Sequence, residues 1–326
     1  MIQIVGWIFC ASMAGVVATH RAQIWATRHE GPVLAVVYDV LPLLLLPAVG
    51  ILLVAAISGR WWLALLAALL TGYELLLVVP RLTTRPRPSW AATAPRLRLV
   101  MANVFVDNET PEQAAQQLTS SNADVMVIAE ATPEFIKVFD SVGGDTAYPH
   151  RVIDPSDTSD YAVAIVSRLP LGANSEVRTM GLLRLAVAEV TVGGIGTTIA
   201  TLNPRATFDS EGQATWKQQM DELQRFVPTV HGPLVVAGDL NSTSFRPEFD
   251  ELLSAGLVDA IDALGQAWKP SFSLKSVWPL GALGSVARLD QALVNDQVCA
   301  IETRNLDACG SDHLPFLITL AVRHTS

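Results

Sequence analysis

Two short segments hold the densest set of reactive side chains: Gly238-Asp239-Leu240-Asn241-Ser242 and, later, Gly310-Ser311-Asp312-His313. Each adjoins an apolar run. Together they supply carboxylates, an amide and an imidazole. That set suits metal-assisted attack on a phosphoester: a carboxylate orients water, a cation offsets charge, and an imidazole stabilises or moves a proton. Four other apolar runs end in residues of the same kind. They are Val100-Met101-Ala102-Asn103, Val127-Ile128-Ala129-Glu130, Ala200-Thr201-Leu202-Asn203 and Leu289-Asp290. Strand ends are where α/β folds gather their sites. A hard cation such as Mg²⁺, or Mn²⁺ in its place, takes oxygen ligands, and Glu130, Asn103 and Asp312 offer them. Singly, each residue has a plainer reading. Asn103 suits a strand-end turn, Asp239 and Asn241 an Asx turn, Asp290 a surface pair with Arg288, and His313 a structural role. The combination in this order is the specific signal.

The elements that must position these residues follow from local pattern. Apolar runs at Leu97–Val104, Asp124–Ala129, Tyr161–Ser167, Leu185–Val192, Thr197–Leu202, Pro233–Ala237, Arg288–Val294, Val298–Leu306 and Leu314–Val322 predict strands. Thr110-Pro111 and Thr132-Pro133 predict helix starts, and Ser210–Phe226 a helix. Strands with interspersed helices and hairpin-like neighbours predict a mixed-sheet sandwich flanked by helices.

The N-terminus reads differently. The chain of 326 residues is 50% hydrophobic, with mean hydropathy +0.36, and the excess lies before Trp90. Ile2–Thr19, Val33–Ser58 and Trp61–Val79 each approach the roughly 20 apolar residues needed to span a bilayer. The expected organisation is three transmembrane helices within 1–80, an extended Pro- and Arg-rich linker over 81–95, and a catalytic domain over 96–326. Asp39 and Glu74 fall inside the apolar runs, Asp39 near a helix end and Glu74 against another helix. Arg21, Arg28, Arg81, Arg85 and Arg87 flank one side of the spans and Arg60 the other, which favours a cytoplasmic domain. The net charge of -9 argues against a non-specific grip on duplex DNA, so no specific nucleic acid partner is expected. Cys10, Cys299 and Cys309 show neither a disulfide framework nor a zinc spacing.

From about Arg96 to Arg323 the chain resembles the endonuclease/exonuclease/phosphatase superfamily, through Asn103 in MANV, Glu130 in VIAE, Asp239 and Asn241 in GDLNS, Asp290 in RLDQALV, and Asp312 and His313 in SDHLPF. Ile165–Leu171 matches a further strand motif. With its N-terminal spans, the chain resembles the membrane-anchored bacterial branch of VanJ-type proteins. The resemblance implies a four-layer α/β sandwich and Mg²⁺-dependent phosphoester hydrolysis. It implies Glu130 as metal ligand with Asn103 and Asp312, Asp239 on the attacking water, Asn241 on the phosphoryl oxygens, and His313 as stabiliser or base held by Asp290. It also implies an extracytoplasmic domain acting on a membrane lipid or lipid-linked phosphate, against the arginine distribution. One position departs: Asn203 stands where many members carry a histidine. Asn203 cannot carry a proton, so weakened turnover, or a binding role alone, is the alternative expectation, with Arg205 as a substitute charge. A nuclease ranks below both. Gln291 departs likewise.

Overall fold

Long apolar stretches near the N-terminus form five helices: α1 (Ile2–Ala26), α2 (Pro32–Asp39), α3 (Leu41–Leu45), α4 (Pro47–Ile57) and α5 (Trp61–Leu82). The computed structural model describes residues 2–26, 31–153, 161–273 and 284–324. Arg28, used above for orientation, lies outside the described residues. Two helices, Gln3–Gln23 and Trp61–Leu82, are long and apolar enough to cross a membrane. The middle run departs from the expected single helix. It breaks at Val40, and the two parts meet at 74°. Pro42 and Pro47 each sit in the first turn of a new helix, because proline lacks the N–H that would continue the preceding one. Glu74 is buried in α5.

The segment 81–95 is also tighter than an extended linker. Arg81 and Leu82 still belong to α5, and Ser89–Ala92 forms a 3-10 turn. Arg81 lies 3.5 Å from Asp250 and 3.4 Å from Asp262, and it donates to Ser244 O at 2.8 Å. The Arg85 backbone N–H donates to Ala263 O at 2.9 Å, and Arg87 donates to Ile301 O. These contacts dock the helices on the domain that follows.

That domain is built on strands whose two faces are both covered, which explains their unbroken apolar runs. The chain first lays down β1 (Arg96–Asn103), β2 (Val125–Ala129), β3 (His150–Ile153) and β4 (Val163–Ser167). Next come β5 (Glu176–Met180), β6 (Leu183–Val192), β7 (Ile195–Leu202), β8 (Leu234–Asp239) and β9 (Val258–Asp259). A short ribbon of β10 (Phe272–Ser273) and β11 (Ser285–Ala287) leads to β12 (Asp290–Val294), β13 (Val298–Asn305) and β14 (Phe316–Val322). One six-stranded sheet has the order β13-β14-β1-β2-β4-β3, the other β5-β6-β7-β8-β12-β9.

The sheets pack face to face. Leu97, Leu99, Met101, Val125 and Val127 of one meet Ala188, Val190, Ile199 and Val235 of the other. On the outer face of the first sheet lie α6 (Pro111–Ser120), α7 (Pro133–Ser141) and the short α8 (Gly144–Ala147). The second is covered by α9 (Ser210–Phe226), through Trp216, Met220 and Leu223, and by α10 (Pro247–Leu253). A single turn, α11 (Ala260–Ala263), packs beside β12. The order helix, sheet, sheet, helix is the expected four-layer α/β sandwich. Thr132 caps α7 through the Phe135 N–H at 3.3 Å. Thr110 does not cap α6; its hydroxyl donates to Cys309 O at 3.0 Å instead. The three cysteines are free.

Candidate active site

Strand direction brings the reactive residues to one end of the sandwich. β1 and β2 are parallel, so Asn103 and Glu130 leave the same sheet edge. β7 and β8 are parallel too, which sets Asn203 beside the segment Asp239–Asn241. β12 runs antiparallel to β8, with Asp290 opposite Asp239. The backbone makes room at Gly238, where a Cβ would lie 2.2 Å from Leu202 O. Glu130 and Asn241 hold left-handed conformations, with φ of 57° and 48°. Such backbone is uncommon for a residue with a side chain and concentrates at functional sites.

The buried Asn103 amide joins two carboxylates. Its Nδ2 donates to Glu130 Oε1 at 2.8 Å and to Asp239 Oδ2 at 3.0 Å. Glu130 Oε2 accepts the Val106 N–H at 2.6 Å. Asp239 Oδ1 accepts the Asn241 N–H at 2.9 Å. On the other side, His313 Nδ1 lies 2.7 Å from Asp290 Oδ2, and its Nε2 lies 3.6 Å from Asp239 Oδ2. The ligand-type atoms of Asp239, Asp290 and His313 all fall within 4.8 Å of one another. Asp312, next to His313, adds a further negative charge on the imidazole.

Burial and charge set the protonation states. Burial lowers the His313 pKa, but the Asp290 and Asp239 carboxylates outweigh it and raise it to about 10. The ring is therefore an imidazolium at neutral pH. Burial raises Asp239 to about 6, against the nearby imidazolium and aided by Asp290. Glu130 is raised by burial as well, partly offset by the Asn103 and Val106 hydrogen bonds.

A divalent cation suits this donor set. Asp239 is buried and Glu130 half-buried, and both accept from the one Asn103 amide, a charge arrangement that a cation relieves. The buried Asp290 Oδ1 has no hydrogen-bond partner among the described residues. His313 Nδ1 is hydrogen-bonded to Asp290 and its Nε2 faces Asp239 at 3.6 Å, so the cluster reads as a charge relay around the imidazole, and its ligand-type atoms also lie close enough together to hold a cation. Glu130, Asn103 and Asp312 carry further oxygens of the kind a hard cation takes.

Other expected residues are placed differently. Asn241 Nδ2 donates to Pro204 O at 2.9 Å and to Asn203 Oδ1 at 3.4 Å, so its amide hydrogens are engaged within the protein. Arg205 is partly exposed and lies 3.9 Å from Asp209. Arg288 does not pair with Asp290 at the surface. It is buried and pairs with Asp259 and Asp262. Gln291 is buried and donates to Ser242 O at 3.1 Å, tying β12 to the loop beyond Asn241.

Two serines brace the site. Ser311 Oγ donates to Asn103 O at 2.8 Å and accepts the His313 N–H at 3.0 Å. Ser271 Oγ accepts the Leu289 and Asp290 N–H groups, both at 3.2 Å. Ser311 stood inside the SDH motif and was readable as a turn residue; Ser271 carried no local signal.

Comparison with known proteins agrees with this architecture. D. rerio TDP2, solved with a single strand DNA product, shares 19% identity and a TM-score of 0.58, covering 70% of this chain and 99% of that one. Truncated Caenorhabditis elegans TDP2 gives 18% and 0.52, over 70% of this chain and 98% of its own. An endonuclease/exonuclease/phosphatase from Beutenbergia cavernae DSM 12333 gives 16% and 0.50, over 70% and 72%. At these identities the likeness is one of fold. No curated protein matches the sequence. The sequence profile of the Endonuclease/Exonuclease/phosphatase family matches residues 102–313, a stretch that contains every candidate site residue named above, and the chain belongs to that family.

Proposed function

We propose that the chain is a membrane-anchored, metal-dependent phosphoester hydrolase acting on a lipid-linked phosphate or pyrophosphate at the bilayer surface. The observation that carries this is the Asp239–His313–Asp290 relay, joined through Asn103 to Glu130. The two apolar helices α1 and α5, and the docking of Arg81 on Asp250 and Asp262, support the anchor.

Each residue has a definable task. Glu130, Asn103 and Asp312 would hold Mg²⁺ or Mn²⁺, which when bound would offset charge on the phosphoryl oxygens. Asp239, ionised above about pH 6, orients a water and accepts its proton. His313, held by Asp290, presents Nε2–H to charge that develops on phosphate. Asn241 holds the Asn203 side chain and the Pro204 carbonyl in place. Tethering restricts the domain to substrates in the same membrane and raises their effective concentration. We place the domain outside the cytoplasm, following the resemblance to the membrane-anchored branch. Labelling of a C-terminal cysteine by an impermeant reagent on intact cells tests that placement.

Phosphate release from lipid phosphates and pyrophosphates with Mg²⁺, compared between the full-length protein and Asp239→Ala, tests the activity. Turnover by the parent protein and none by the variant is expected. Equal inertness of both, with ligand still bound, would instead support a binding protein that lost turnover at Asn203. Plasmid nicking would support the nuclease reading.

A further inference from the structure

A cavity of about 320 Å³ lies where the N-terminal helices meet the domain. One wall is Val40, Pro42 and Leu43, at the 74° break in the apolar segment. The domain contributes Phe245, Trp268 and Pro270, and the polar part of the lining is Asp39, Thr243, Ser244 and Arg288. None of the apolar residues belongs to the relay, yet the domain wall is continuous in the chain with the segments that carry it. Thr243 lies just beyond Asn241, and Arg288 just before Asp290. Pro270 precedes Ser271, whose hydroxyl accepts the Asp290 N–H at 3.2 Å. The cavity and the candidate active site therefore share three loops. In the other direction, the Leu43 wall leads through Leu46 into α4, and Leu46, Leu53, Val54 and Ile57 are exposed. Bare apolar surface of that kind on a helix is what a bilayer covers.

We propose that this cavity receives the hydrocarbon chain of the substrate, namely the carbons nearest the headgroup of a lipid phosphate whose phosphate lies at Asp239. The inference rests on the phosphoesterase reading and names the part of the substrate that this chain recognises. At roughly 30 Å³ per water-sized group, the cavity holds about ten methylenes. A chain that moves here from a bilayer exchanges one apolar surrounding for another, so the cavity selects by shape. A short ester arriving from water gains roughly three- to fourfold in affinity per methylene until the cavity is full.

The test uses the full-length protein in phosphatidylcholine nanodiscs and two probes. A decyl phosphate with a mid-chain diazirine is photolabelled and the adducts are mapped by mass spectrometry. The expected adducts fall on 40–43, 243–245 and 267–270, and Leu43→Trp, which fills the cavity, reduces them at least severalfold. Adducts confined to the outward faces of α4 and α5, or unchanged in Leu43→Trp, overturn the proposal whether or not the protein is an enzyme. In parallel, alkyl phosphates and pyrophosphates from two to twelve carbons are assayed for phosphate release. We expect kcat/KM to climb with chain length and level off near ten carbons, with the climb lost in Leu43→Trp while the two-carbon rate is kept. A rate independent of chain length overturns the cavity assignment alone. Labelling of the cavity without turnover of any member upholds the cavity and sinks the hydrolase reading. Val40→Phe serves as a second filling variant if the two-carbon rate shows that Leu43→Trp has not folded.

Discussion

Asp39, the last residue of α2, accepts a hydrogen bond from the backbone N–H of Thr243 at 2.8 Å, just beyond Asn241 in the chain. The Thr243 hydroxyl donates back to Asp39 O at 3.3 Å. Behind this contact the fully buried Arg246 lies 3.9 Å from Asp39, with its guanidinium 4.0 Å over the Trp216 ring. His20 of α1 lies 2.8 Å from Phe245 O in the same loop. The loop that carries Asn241 is thus clamped between the helices and α9. The N-terminal helices and the loop beside the site are packed as one unit.

Replacement of Asp39 by alanine therefore affects stability and activity together. It strips an acceptor from Thr243 and leaves the buried Arg246 guanidinium with Glu248 as its remaining carboxylate at 3.9 Å, a change that costs about 1–3 kcal/mol. Asp39→Asn keeps the acceptor and should lose less. Thermal unfolding of both variants in detergent checks the order. Equal Tm for Asp39→Ala and the parent protein would show that the clamp carries no strain-bearing contact.

Asp290→Asn tests the relay. The amide can still contact His313 Nδ1, but it no longer stabilises an imidazolium or fixes which nitrogen faces Asp239. Loss of positioned acid–base assistance amounts to about 10²- to 10⁴-fold in kcat, with KM little altered. Steady-state kinetics measures this, and a folded variant with undiminished kcat would remove His313 from the chemistry.

Much of this was readable from residues alone, for definable reasons. Strands β2 and β8, and β1 from Leu99 onward, are buried on both faces, so each is an apolar run that a polar residue ends or follows. Asn103, Glu130 and Asp239 sit at those ends, where period and punctuation coincide. β9, β10 and β11 are two or three residues long and too short for any period to register. The break at Val40 was half visible in Pro42 and Pro47, but apolar content outweighed them in a span reading. Arg288 was misplaced because its partners, Asp259 and Asp262, are distant in sequence and chosen by packing. The Asp39–Thr243 contact joins residues from opposite ends of the chain, and no local pattern records it.

The relay also predicts how metal-free stability depends on pH. Asp239 and His313 both bind protons more tightly folded than unfolded. Each contribution is fully present below the unfolded pKa and is lost as pH rises through the folded one. For Asp239 that window runs from 3.8 to about 6, and for His313 from 6.5 to about 10. In EDTA, Tm should fall steadily from pH 6.5 towards 10. His313→Gln should flatten that fall, and an unchanged slope in the variant would assign the titration to another group.

Divalent cation and stability should be linked through Glu130. Its carboxylate is half-buried and raised in pKa, it shares the Asn103 amide with Asp239, and its backbone is held at φ 57°. A cation that binds only the folded site at one hundred times its Kd stabilises by about 2.7 kcal/mol, or about 5–10 °C in Tm for a domain of this size. Mg²⁺ or Mn²⁺ should therefore raise Tm over EDTA and restore hydrolysis together. Glu130→Gln removes the charge that attracts the cation, and its single oxygen can accept from only one of the two donors, Asn103 Nδ2 or Val106 N–H. The variant should therefore start at a somewhat lower Tm in EDTA and gain little from added metal. That difference in the response to metal separates a metal site from a general effect of salt, which would shift both proteins alike. Hydrolysis that persists in EDTA, with Tm indifferent to divalent ions in the parent protein, would leave the oxygens around Glu130 as structure only.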